Sequence, residues 1–73
     1  MEYSNSNGSA WYKVMDMIDL MCETLMFNND NSKRDVDEFR YWAVAHTDFE
    51  EEDEESAAIV SKLVIAEAAK RFC

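Results

Sequence analysis

The sequence predicts an all-α protein, either a small three-helix bundle or a helical dimer. Apolar residues recur at the three- and four-residue spacing of a helix through the first two thirds of the chain. In 73 residues there is one glycine and no proline, so little interrupts a helix. The last third is rich in alanine and carries Glu67 and Arg71 at helical spacing.

Residues 1–8 are small, polar and without periodicity, and are expected to be loose. Residues 9–73 form one helical domain. Ser9 is placed to cap a first helix that runs to Phe27. Trp11, Val14, Met15, Ile18, Met21, Cys22 and Leu25 fall on its apolar face, with Lys13, Asp16, Asp19 and Glu23 opposite. Tyr12, Leu20 and Phe27 break the pattern by projecting among the carboxylates, either as the scattered exposed apolar residues common on protein surfaces or as a contact surface. Asn28 to Asn31 read as a turn, because Asn and Asp bond their own backbone and tolerate left-handed conformations.

Ser32 caps the second helix, with Asp35 three residues on. Its buried stripe is Val36, Phe39, Ala43 and His46, edged by Trp42 and Phe49. Arg34, Asp37, Glu38 and Tyr41 face out, and the helix is expected to end near Thr47 or Phe49.

A third helix is expected from the acidic block Asp48-Phe49-Glu50-Glu51-Glu52-Asp53-Glu54-Glu55 through to Phe72, with Thr47 and Glu50 as its capping box. Residues 59–65 are rich in β-branched side chains, so a strand competes there; the alanines favour helix. Apolar residues occupy nearly every side of this segment. It is either the central helix of the bundle or half of a subunit interface. Leu63 and Ile65 are placed in the core with Trp11, Ile18, Leu25, Phe39 and Ala43.

The net charge is −9, and the acidic block holds seven of the sixteen acidic residues. That balance argues against nucleic acid or an anionic membrane as ligand and for a basic protein as partner. With 48% apolar residues in so short a chain, some apolar surface stays uncovered, and a homodimer is the expected remedy. No signal peptide and no membrane-length apolar run is seen, which points to a cytoplasmic protein. Cys22 is expected reduced in the core, and Cys73 frayed at the end of the chain.

No pattern for catalysis, cofactor or metal binding is present. The single histidine, His46, lacks a partnered nucleophile. Neither cysteine has a basic neighbour to activate it. The Asn-rich turn and the acidic block lack the glycine of a calcium loop. No glycine-rich phosphate loop exists.

The expected function is that of a small acidic inhibitor or modulator of another protein. Its docking surface is the block itself (Asp48, Glu50, Glu51, Glu52, Asp53, Glu54, Glu55), widened by Asp16, Asp19 and Glu23 and flanked by Tyr12, Leu20 and Phe27. Asp37 and Glu38 would extend it. If helical, the block carries about one charge per 1.7 Å, as duplex DNA does. In size, acidity and lack of catalytic residues, though in no motif, the chain resembles phage-encoded DNA mimics and host-takeover proteins of the anti-restriction and anti-CRISPR kind. That resemblance implies occupation of a basic nucleic-acid-binding surface. The competing expectation is a helical dimerisation or adaptor module whose acidic segment only confers solubility.

Overall fold

A computed structural model describes residues 9–28 and 31–72. The described residues form three α-helices and no strand: α1 over Ala10–Phe27, α2 over Lys33–Ala45 and α3 over Glu54–Phe72. Residues 59–65 are therefore helical, and the strand alternative fails. The expectations of a loose N-terminus, of turn residues Asn29 and Asp30, and of a frayed Cys73 lie outside the described residues.

The central helix is α1, not α3. It packs along both neighbours, antiparallel to α2 and parallel to α3, while α2 and α3 touch only sparingly. The result is flattened, 36 × 26 × 16 Å. Ala10, Val14, Ile18 and Cys22 of α1 meet Val36, Phe39 and Ala43 of α2 and Ala57, Val64 and Ala68 of α3 in one core. Met17, Met21, Leu25, Trp42, Phe49, Val60 and Phe72 pack against it half-buried. Trp11, expected inside, is also only half-buried. Aromatic contacts close the α2–α3 seam. Phe72 meets Phe39 edge-on at 5.7 Å, and the Arg71 guanidinium lies 5.8 Å from the centre of the Trp42 ring.

Local chemistry fixes one helix start and one helix end as the sequence implies. The Ser32 hydroxyl accepts from the Asp35 N–H at 3.1 Å, capping α2. The α1 end is closed by Asn28, whose N–H donates to Thr24 O at 3.2 Å, and the Asn31 amide donates to Leu25 O at 3.1 Å.

Four expectations are corrected. First, the acidic block is not helical up to Asp53, and Thr47 with Glu50 forms no capping box. The cap is Asp53, whose carboxylate accepts from the Ser56 N–H at 3.1 Å and from its hydroxyl at 2.7 Å. A short acidic side chain does better there than inside a helix, where it would add to like-charge repulsion at four-residue spacing. Second, α2 stops at Ala45, so His46 is the C-cap and is exposed, not part of the buried stripe. Its Nδ1–H donates to Trp42 O at 2.8 Å. Third, Leu63 and Ile65 are 43% and 53% exposed, not core. The inward face of α3 is Ala57, Val60, Val64 and Ala68, and small residues there let its backbone approach α1 closely. Leu63 and Ile65 lie ~100° to either side of Val64. Fourth, Ser9 occupies the N-cap position of α1, but its hydroxyl makes no cap bond.

The corrected core makes a paired prediction. Ile18→Ala should cost about 2–5 kcal/mol, because Ile18 is wholly buried. Ile65→Ala removes the same atoms from a half-exposed site and should stay within roughly 0.5 kcal/mol. Urea unfolding of both variants checks it; equal losses would place Ile65 back in the core.

Candidate functional site

Without helical backbone, the stretch from His46 to Asp53 needs other partners for its peptide groups, and it finds them on the start of α1. The Ser9 hydroxyl donates to Glu51 O at 2.9 Å, and the Trp11 backbone N–H donates to the same oxygen at 3.0 Å. The Trp11 indole N–H donates to Thr47 O at 2.8 Å, a carbonyl that also accepts from the Phe49 N–H at 2.9 Å. Thr47 is buried, and its hydroxyl donates to Val44 O at 2.6 Å. At the far end, the Asp53 N–H donates to Glu50 O at 3.0 Å before Asp53 caps α3. The loop is thus fixed at both ends and in the middle by its backbone, which leaves its side chains free to face water.

The carboxylates do face water. Asp48, Glu50, Glu51, Glu52, Glu54 and Glu55 are exposed; only Asp53 turns inward, as the cap. Six exposed carboxylates therefore crowd one end of the bundle, where α1 begins, α2 ends and α3 begins. The bonds from Ser56, its side chain first, hold the Asp53 carboxyl below its ordinary range.

The wider surface expected on α1 and α2 is only partly assembled. Asp16 and Glu23 are exposed on α1. Asp19 is 2.6 Å from Arg40, Asp37 is 2.9 Å from Lys33 and Glu38 is 3.6 Å from Arg34, so these three are screened by bases of α2. Tyr12 packs edge-on against Trp11 at 5.0 Å, close to the loop. Leu20 and Phe27 are exposed, as expected, but lie along α1 away from it; Phe27 is about 25 Å of helix rise from Ala10. Leu20 instead lines an open, almost wholly apolar groove of about 360 Å³ with Met17, Met21, Thr24, Leu25 and Ala68.

Sequence reasoning named Ser9 and Thr47 as helix caps and Trp11 as core, and missed that the three together anchor the loop. The signal was available for Trp11, since a tryptophan assigned to a core needs an acceptor for its N–H. Elsewhere, burial pushes the Cys22 thiol above its ordinary value, with Arg40 opposing, so it stays protonated. Among the described residues, no three His, Cys, Asp or Glu side chains converge as a metal cluster would, and no helix is long and apolar enough to cross a membrane. No family model matches the chain, and neither a curated protein nor a solved structure is significantly similar to it.

Two predictions follow from the anchoring. Trp11→Phe keeps the packing and removes one donor from Thr47 O, so it should cost about 0.5–1.5 kcal/mol. Amide exchange should quicken at Phe49 and Asp53 more than in the middle of α1, and uniform exchange would show that the indole bond does not hold the loop. Because the Asp53 carboxyl is depressed in the folded state, its contribution is present above the ordinary value of 3.8 and lost as pH falls through the depressed one. Asp53→Ala should therefore melt below wild type at neutral pH, with the gap narrowing in acid below that value. A gap that does not change with pH would rule out the ionised cap.

Proposed function

We propose that the protein is a small modulator that binds another protein, and that the anchored acidic loop is its docking element. One observation supports this above the rest. Six carboxylates of one short stretch face solvent from a backbone hydrogen-bonded at Thr47, Glu51 and Asp53. A solubilising segment has no need of such bonds, whereas a rigid charged surface loses less entropy on binding.

The partner is basic. Clustered carboxylates steer a positive patch toward them and accept charge-assisted hydrogen bonds from Arg and Lys. Surfaces that hold nucleic-acid phosphates present such clusters, so a nucleic-acid-binding protein is the proposed class of target. The matching linear charge density of duplex DNA no longer contributes, because the block is a loop and cap followed by one helical turn. The competing reading, a helical dimerisation module, draws on a different observation, the exposed apolar face of α3.

An arginine-rich peptide tests the loop. Asp48→Asn with Glu50→Gln, Glu51→Gln and Glu52→Gln removes four charges while keeping size and backbone. Asp16→Asn with Glu23→Gln, Asp37→Asn and Glu38→Gln removes the same number elsewhere. The loop variant should weaken binding at least tenfold more than the control, with a shallower salt dependence. Equal weakening would mean that only net charge matters, and the loop would not be a site.

A further inference from the structure

Three of the large apolar side chains left exposed among the described residues, Ile59, Leu63 and Ile65, lie on α3. Its inward stripe uses Ala57, Val60, Val64 and Ala68, and the opposite side presents Ile59, Leu63 and Ala66 to solvent, with Ile59 63% exposed. Along that outer side lie Glu55, Ile59, Lys62, Leu63, Ala66 and Lys70, all exposed. Their spacing of three and four residues makes one continuous ridge, the pattern of a helix with a second helical partner.

The charges on this ridge say what the partner is. Beyond Ser56 the described chain carries Lys62, Lys70 and Arg71 against Glu67, or +2, while the rest of the chain carries −11. A basic partner is disfavoured by the lysines. A parallel second copy would set Lys70 beside Lys70 and Glu55 beside Glu55. An antiparallel second copy, related by a two-fold axis between residues 62 and 63, does the reverse. Glu55 then faces Lys70 of the other copy at both ends, Ile59 faces Ala66, and Leu63 lies over the aliphatic stem of Lys62, whose ammonium reaches water. Ala66 is small enough to let the two backbones approach, and antiparallel helix dipoles attract where parallel ones repel.

We infer that the chain forms an antiparallel homodimer through the outer face of α3, in the register that pairs Glu55 with Lys70 of the second copy. The face spans α3, about 28 Å of helix. Two such faces bury on the order of 1,000 Å², the low end for specific association, so the dimer is a weak one in exchange with the single chain.

Sedimentation equilibrium in reductant, from low to hundreds of micromolar, reads the outcome. Wild type should pass from one chain mass to two. Ile59→Ser with Leu63→Ser should abolish the transition with the circular dichroism unchanged, because both residues are exposed in the single chain. Leu20→Ser with Phe27→Ser, on the other apolar surface, should leave it intact. Glu55→Lys alone or Lys70→Glu alone should weaken dimerisation at least fivefold, and the double reversal should restore it. Restoration cannot come from helix stability, since both reversals oppose the α3 dipole. A chain that stays single throughout, a dimer that survives the Ile59 and Leu63 changes, or reversals whose losses add would each overturn the proposal.

Discussion

The fold depends on one apolar stripe, Ala10, Val14, Ile18 and Cys22, which α1 shares between two neighbours. The remaining interface, between α2 and α3, is reduced to an aromatic seam around Phe39, Trp42 and Phe72. Centring the bundle on α1 has two consequences. α3 meets α1 with small residues and Val64, so its larger side chains, Ile59, Leu63 and Ile65, are left outside. The α2–α3 connection must also return across the start of α1, which brings its backbone within reach of Ser9 and Trp11. The acidic loop and the uncovered ridge thus have one origin.

How much of this the sequence disclosed depends on how single-valued each pattern was. α1 and α2 have one apolar stripe each, and the extent of α1, the Ser32 cap that starts α2 and the burial of Ile18, Phe39 and Ala43 follow from spacing. The end of α2 does not: the apolar pattern runs on past Ala45, where the helix stops. α3 has apolar residues all round, so periodicity offers several inward faces of similar hydrophobicity. The choice fell to close packing against α1, where Ala57 and Ala68 fit and Leu63 does not. Sequence reasoning that favoured the bulkiest side chains therefore chose the wrong face, although it did see that α3 had more apolar surface than a small bundle covers.

The candidate site was legible as composition and not as geometry. Seven acids in eight positions announce a charged segment, but repulsion, capping and backbone anchoring decide whether it becomes a rod or a loop. Asp53 ended that competition: once its carboxylate takes the Ser56 N–H, the helix begins after it, and the preceding carbonyls become free to bind α1. The same accounting explains why Asp19, Asp37 and Glu38 add less to the negative surface than their number suggests. Each has a base of α2 beside it, and exposed pairs of this kind contribute little stability while locally cancelling charge.

Charge segregation reconciles the acidic loop with the outer ridge. Two copies of a chain with net charge −9 repel at a distance, and a dimer is tenable only if they meet where the acid is least. The outer face of α3 beyond its first turn is that place. In the antiparallel register the two acidic loops lie at opposite ends of the pair, with the Glu55 positions about 22 Å apart along the helix axis. That separation exceeds the screening length of ~8 Å at physiological salt, so the loops scarcely repel each other. Only Glu55 is shared between the two surfaces. The other five exposed carboxylates remain outward, and a dimer would present them twice, which raises avidity for any partner with two basic patches at matching spacing.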